Sequence, residues 1–393
     1  MNNKMYDLGN NRSIIRELFE FSKKRKTEIG AENVFDFSIG NPSIPPTKAV
    51  TTELYNLLSL DPCLLHGYTS AQGDFETRNA IANNLNSRYK TNYSADMLYM
   101  TCGAAASLCI GFKALTSSKD CEFLSIAPYF TEYKVFVESA GAKFNVVPPL
   151  IPSFDINLEE LEKMITPFTT GIIINSPNNP SGVVYSEKTI QKLANLLLTK
   201  EKEYNHPIYI ICDEPYREIV YDNITVPHIP NYYPNTIICY SYSKSLSLPG
   251  ERIGYILVPS SVHNYKNIYF ACLGAGRAYG YVCAPAMFQK LISKCVNEQT
   301  DVSAYKENRD LLYNGLTSMG YECVYPQGAF YLFVKTLEPN AYNFMEKAKK
   351  HNIIVVPSDS FGVTGYVRLA YCVSKDTIIN SLPNFKTLLE EYK

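Results

Sequence analysis

Residues Ser241-Tyr-Ser-Lys244-Ser-Leu-Ser-Leu-Pro-Gly-Glu-Arg252-Ile-Gly254 decide how this chain is read. A lysine among small hydroxyl residues, with an arginine eight positions on, has the groups to hold a phosphorylated aldehyde. The amine can form an imine with the carbonyl. The hydroxyls and the guanidinium can bind the phosphate. Taken alone, the segment also fits a solvated Ser/Lys-rich loop.

Two upstream segments and the run feeding the lysine narrow the choice. Ile172-Ile-Ile-Asn175-Ser-Pro-Asn178-Asn179-Pro180-Ser-Gly182 is an apolar run ending in a turn cluster. Ile208-Tyr-Ile-Ile-Cys-Asp213-Glu214-Pro215-Tyr216 is a second apolar run, ending in a carboxylate. Thr236-Ile-Ile-Cys-Tyr-Ser241 is a third and leads directly into the lysine loop. All three read as short buried strands with polar residues at their C-terminal ends. Open α/β sheets bind ligands outside the carboxyl ends of their strands. Asn179, Asp213, Tyr216, Ser241 and Lys244 are thus expected in one crevice.

The order Asn-Asn-Pro-Ser-Gly, Asp-x-x-Tyr, Ser-x-Ser-Lys and then Arg252 resembles the class I/II aminotransferases, from about Phe37 to Arg368. The resemblance implies a pyridoxal 5′-phosphate (PLP) enzyme of the aspartate-aminotransferase fold. It implies transfer of an amino group between an L-amino acid and a 2-oxo acid, with 2-oxoglutarate and glutamate as one pair. It also implies a homodimer, while the cysteine usage described below points to a cytoplasmic protein. The expected domains are a large PLP-binding one, residues 46–285, and a discontinuous small one, residues 1–45 and 286–393.

The same resemblance assigns roles. Lys244 holds the cofactor and moves the substrate's α-proton. Burial beside cations should lower its pKa and free the amine. Asp213 keeps the pyridine nitrogen protonated, whereas Glu214 should point to the opposite face. Tyr216 and Asn179 bind the ring 3′-oxygen, and Asn178 reads as a turn former. The Gly103-Ala104-Ala105 turn opens a helix whose N–H groups suit a phosphate. Ala105 offers only its backbone there, so Ser241, Ser243 and Arg252 should carry more of the anchoring. Phe130 matches the aromatic that stacks on the ring. Tyr68 matches the tyrosine that reaches the neighbouring subunit's phosphate. Arg368, in Tyr366-Val-Arg368-Leu-Ala-Tyr371, matches the arginine that binds the α-carboxylate. Gly40 matches the backbone that closes over substrate. Arg277 lies where a partner subunit can present a cation to a dicarboxylic side chain. Pro357-Ser358 replaces a frequent Pro-Gly, a departure at the point where relatives close a loop.

Composition excludes other classes. Charged residues make up 19% and the net charge is −1, which gives no field for nucleic acid or an anionic membrane. The basic run Lys23-Lys24-Arg25-Lys26 lies on an amphipathic pattern and reads as a solvated helix face. The eleven cysteines, without a Cys-x-x-Cys, read as small apolar residues in a reducing compartment. The five histidines are scattered, so no metal site is expected. Neither a secretory signal nor a membrane-spanning stretch is expected.

The element pattern agrees with an α/β fold: a mainly parallel central sheet sandwiched by helices, with a smaller α+β domain. An amphipathic helix is expected from Ser13 to Ile29, and a short strand at Val34–Ile39. Further strands are expected at Leu98–Thr101, Phe123–Ile126, Gly171–Asn175, Ile208–Cys212, Ile237–Tyr240 and Gly254–Val258. After Pro285, helices at Ala286–Glu298 and Ser303–Ser318 precede strands at Glu322–Tyr325, Ala329–Val334, Ile353–Val356 and Tyr366–Tyr371. Two alternatives share the lysine motif. A C–S β-lyase of the same fold would more often carry a bulky-aromatic version of the Asn179-Pro-Ser-Gly182 segment. A regulatory protein that only senses PLP would carry an extra DNA-binding module.

Overall fold

The apolar runs form the middle of the main sheet. The computed structural model describes residues 1–10 and 13–393. Its strands in chain order are β1 (Phe35–Asp36), β2 (Leu98–Thr101), β3 (Glu122–Ile126), β4 (Lys143–Val147), β5 (Thr169–Asn175), β6 (Tyr209–Asp213), β7 (Thr236–Ser241) and β8 (Gly254–Leu257), followed by β9 (Cys323–Val324), β10 (Tyr331–Lys335), β11 (Ile353–Ile354), β12 (Val356–Pro357) and β13 (Tyr366–Ala370). Seven of them form one sheet in the order β2-β8-β7-β6-β5-β3-β4. Only β8 runs against its two neighbours; the remaining pairings are parallel.

Strands β6 and β7 are buried at every position. A parallel sheet covered on both faces calls for such continuous apolar runs. Side chains alternate between the faces. Ile172, Ile174, Ile210, Cys212, Ile238 and Tyr240 join one core, while Ile173, Ile211, Ile237 and Cys239 join the other. Helices Ala104–Leu115 and Tyr265–Ala278 pack together over the second face. Edge strand β4 was not expected from sequence. It begins at an exposed lysine and is only partly buried up to Val147, so it lacks the apolar signature of the interior strands.

A second sheet, β12-β13-β10-β9, is antiparallel throughout. The sequence suggested a single strand at Ile353–Val356, but the structure divides it. Strand β11 pairs in parallel with β1, whereas β12 pairs with β13. The chain thus changes partner at Val355. The backbone of Phe37 continues this link, accepting from the Ala370 N–H (2.8 Å) and donating to the Ile354 carbonyl (2.9 Å). The segment after β1 is therefore held against β13, which carries Arg368. Helix Ile14–Ile29 forms as expected, preceded by an unanticipated helix, Asn3–Asn10, with no buried residue. Among the described residues, no helix is long and apolar enough to cross a membrane.

Candidate active site

Strands β5, β6 and β7 end at Asn175, Asp213 and Ser241, all at the same edge of the sheet. Asn175 and Asp213 are register partners. Because β8 runs antiparallel, its first residue, Gly254, lies between Ser241 and Thr101. Gly254 has no room for a side chain. A Cβ there would sit 2.2 Å from the Tyr240 carbonyl oxygen and 2.9 Å from Gly103 Cα. Gly103, at φ 87°, adopts a backbone that favours glycine and starts helix Ala104–Leu115. Unpaired N–H groups at such a helix start are an anion site. The Ser241 and Ser243 hydroxyls are 2.6 Å apart beside it. Arg252 donates to the carbonyls of Pro249 (2.9 Å) and Cys102 (3.2 Å), which holds its guanidinium against the Gly103 turn.

These groups surround a cavity of about 370 Å³. Gly40, Ala104, Ala105, Phe130, Asn179, Asp213, Tyr216, Ser241, Ser243, Lys244, Arg252 and Arg368 all line it, so the structure gathers twelve residues singled out from sequence. Gly103 stands directly behind Ala104 and against Arg252. Two others lie elsewhere on this chain. Tyr68 is 100% exposed on the loop after helix Pro62–His66. Arg277 is exposed near the end of helix Tyr265–Ala278.

Lys244 Nζ donates to the Gly40 carbonyl at 2.8 Å. Burial, assisted by Arg368 and Arg252 against an opposing effect of Cys372, pushes its pKa down to about 8. Asp213 is 4% exposed. Its Oδ2 accepts from the Tyr133 hydroxyl at 2.5 Å, while its Oδ1 is buried without a partner. Burial pushes this carboxyl up to about 7, and the Tyr133 hydrogen bond pulls the other way. Glu214 points to the opposite face, as alternation required, and meets Arg217 at 3.0 Å.

On the other wall, Arg368 Nη1 donates to Asn179 Oδ1 (3.1 Å) and Nη2 to the Ser38 carbonyl (2.6 Å). Its Nε is buried with no partner. Asn175 Oδ1 accepts from the Asn179 N–H at 2.7 Å and fixes that turn. Asn178 shapes the same turn, accepting from the Ser181 N–H and hydroxyl. The Tyr216 hydroxyl is 2.9 Å from that of Tyr331. Burial raises the Tyr216 phenol well above its usual pKa, so it stays neutral and able to donate.

Sequence reasoning missed Asn175, Tyr133, Tyr331 and Ile15. Asn175 had a usable signal, a polar residue closing an apolar strand. Tyr133 lies three residues after Phe130, at the start of helix Glu132–Ala140, and the two rings meet edge to face with centroids 5.6 Å apart. Tyr331 and Ile15 had none, each being one apolar residue in an apolar pattern.

The arrangement offers an amine that loses its proton near pH 8, an orphan carboxylate oxygen and a guanidinium N–H without a partner. The Gly103 corner adds donors suited to a phosphate. Comparison with known proteins agrees with that inventory. The family model of class I and II aminotransferases matches residues 32–382. The aspartate aminotransferase of Thermotoga maritima is 29% identical over 384 residues, 95% of this chain and 97% of that relative. An aromatic-amino-acid aminotransferase of Thermococcus litoralis is 28% identical over 98% of this chain and 97% of its own length. The crystal structure of an amino transferase from Eubacterium rectale superposes with a TM-score of 0.99 at 57% identity, covering 100% of this chain and 99% of that one. PLP is the cofactor of this family. The cavity fits it at three points: the unpartnered Asp213 Oδ1 for a pyridinium N–H, the Lys244 amine for the aldehyde, and the Gly103–Arg252 corner for the phosphate. With nearly its whole length matched and its cavity suited to that cofactor, the chain belongs to the class I and II aminotransferases and is a PLP-dependent transaminase.

Proposed function

We propose that the enzyme moves an amino group from an L-amino acid to a 2-oxo acid, with 2-oxoglutarate and glutamate as one pair, using the cavity residues in the roles below. One observation carries the reading. Asp213, whose Oδ1 is buried without a partner, lines the same cavity as Lys244, whose amine burial brings down to a pKa of about 8.

PLP, when bound, supplies an electron-poor ring that draws density from the amino acid's α-carbon. Asp213 holds the proton on the ring nitrogen and so keeps the ring electron-poor. Tyr216 and Asn179 donate to the ring oxygen. Ser241, Ser243, Arg252 and the N–H groups of Gly103, Ala104 and Ala105 would hold the phosphate, and Phe130 would cover the ring. Lys244 Nζ would be the group that takes up and gives back the substrate's α-proton. Arg368 receives the α-carboxylate on its Nε and Nη groups, and the Gly40 backbone closes over the substrate.

A homodimer is part of this reading, with Tyr68 reaching the partner's phosphate and Arg277 offering a cation to the partner's substrate. Exposed apolar side chains support it: Leu58, Leu64, Phe75 and Val282 surround the segment bearing Tyr68, with Cys283 Sγ 3.5 Å from the Thr69 carbonyl. Residues 46–285 and the discontinuous pair 1–45 and 286–393 are taken as the two domains, a division supported by the β1–β11 pairing. A cytoplasmic location fits eleven free cysteines. The test is a screen of amino donors with 2-oxoglutarate, reading glutamate. Release of pyruvate, ammonia and homocysteine from cystathionine without glutamate formation would replace transfer by β-elimination.

A further inference from the structure

Tyr331 touches both halves of the site and has no role in the account above. It is the first residue of β10, 3% exposed, and lines the cavity. Its hydroxyl lies 2.9 Å from that of Tyr216. Its ring lies under the Arg368 guanidinium, 4.6 Å from centroid to Cζ. Strand register explains the second contact. Phe333 pairs with Arg368 across β10 and β13, so Tyr331 is two residues away along the strand on the same face. The third neighbour is Gly40. A Cβ at Gly40 would fall 2.0 Å from the Tyr331 hydroxyl oxygen, so only glycine leaves that hydroxyl its place.

A phenol can donate one hydrogen bond. If Tyr216 gives its proton to the cofactor's ring oxygen, it has none left for Tyr331, so Tyr331 must donate and Tyr216 accept. A donor that is itself hydrogen-bonded as an acceptor is a stronger donor. The ring has a separate effect. Its negative face lies against the guanidinium of Arg368, a cavity-lining residue, and holds it in the orientation that leaves Nε unpartnered.

We propose that Tyr331 is a positioning residue with two separable functions: its hydroxyl strengthens Tyr216 as donor to the cofactor, and its ring holds Arg368 for the α-carboxylate. This rests on the roles given above to Tyr216 and Arg368.

The experiment uses PLP-loaded Tyr331→Phe and Tyr331→Leu, with Tyr216→Phe and Arg368→Ala measured alongside. Two readouts accompany kcat and KM. One is the pH titration of the cofactor's visible absorbance; the other is the Kd of a non-reactive carboxylate, 3-phenylpropionate. Tyr331→Phe should move the titration to higher pH by about one pH unit and lower kcat roughly tenfold, with the carboxylate Kd unchanged. Tyr331→Leu should show the same titration shift and also weaken the carboxylate roughly tenfold. A merely structural residue would lower Tm without separating the two readouts. If Tyr216→Phe shifts the titration but Tyr331→Phe does not, the hydroxyl role is overturned. If Arg368→Ala weakens the carboxylate but Tyr331→Leu does not, the ring role is overturned. If Tyr216→Phe and Arg368→Ala move neither readout, the site roles under Proposed function fall, and with them this inference.

Discussion

The Tyr133 hydroxyl donates to Asp213 Oδ2 at 2.5 Å, and this single bond leaves Oδ1 as the buried oxygen without a partner. Both residues are buried, Tyr133 at 1% and Asp213 at 4% exposure. The carboxylate therefore has one fixed oxygen and one available oxygen, on a residue that lines the cavity.

That geometry has a stability consequence in the cofactor-free protein. Burial pushes the Asp213 carboxyl up to about 7. An ordinary aspartate titrates near about 4. Between those values the folded protein binds a proton that the unfolded chain has lost, so stability falls as pH rises through the window. Above pH 7 the penalty is complete, at most about 4 kcal/mol. Asp213→Asn removes it. The cofactor-free variant should melt above wild type at pH 8, and the gap should narrow toward pH 5. Loaded with PLP, the same variant should lose at least ~3 kcal/mol of transition-state stabilisation, roughly a hundredfold in rate. A cofactor-free variant melting below wild type at pH 8 would show that the carboxylate is not an unpaired buried charge.

Lys244 gives a second pH signature. Its amine is pushed down to about 8 by burial, with Arg368 and Arg252 adding to the effect. The rate at which cofactor-free protein takes up PLP should rise through pH 8 and level off above it, since only the neutral amine attacks a carbonyl. Arg368→Ala removes one positive neighbour, and its profile should move to higher pH. Borohydride reduction and peptide mapping should place the pyridoxyl label on Lys244. A label on another lysine would remove the assignment.

The third prediction concerns Tyr68, which is 100% exposed and meets none of the cavity residues of its own chain. If it completes the partner's phosphate site, Tyr68→Ala and Lys244→Ala protomers will both be impaired as homodimers. Mixed and allowed to exchange, they should recover part of the wild-type activity, because one site of the heterodimer then has both native residues. No recovery despite demonstrated exchange would place the whole site within one chain.

How much of this was legible in the sequence depended on burial. Asp213 and Ser241 stood out because each closes an apolar run, and a polar residue at a strand end has no packing reason to be there. Lys244 stood out by its hydroxyl neighbours. Tyr133 and Tyr331 did not, since each is one tyrosine of 31, set in segments already apolar. Their meaning comes from what lies across the cavity, 80 residues away for Tyr133 and 115 for Tyr331. Strand β4 failed for a related reason. As an edge strand it is only partly buried, and its pattern, Lys143-Phe-Asn-Val-Val147, carries little contrast. The division of Ile353–Pro357 between two sheets was invisible because every residue there is buried, so the pattern reads as a single strand.

The two arginines beyond the phosphate corner should separate by substrate. Arg368 is 3% exposed, held by Asn179 and the Ser38 carbonyl, with Nε left over. Every amino acid presents an α-carboxylate, so the loss of Arg368 should be felt by all of them. Removing one member of a buried hydrogen-bonded charge pair costs about 2–5 kcal/mol. Arg368→Ala should therefore depress kcat/KM for alanine and aspartate together, by well over tenfold. Arg277 is exposed on its own chain and outside the cavity lining, so it can act only across a dimer. If it meets a substrate side chain there, Arg277→Ala should depress aspartate and leave alanine unchanged. Among the described residues, the cavity wall offers no arginine besides Arg252 and Arg368, and Ile15 and Ile39 line it instead. An isolated carboxylate would be costly to desolvate against those two side chains without the partner's cation. Equal effects of Arg277→Ala on both substrates, or none on either, would remove the case for dicarboxylic donors and leave neutral or aromatic amino acids as the substrates.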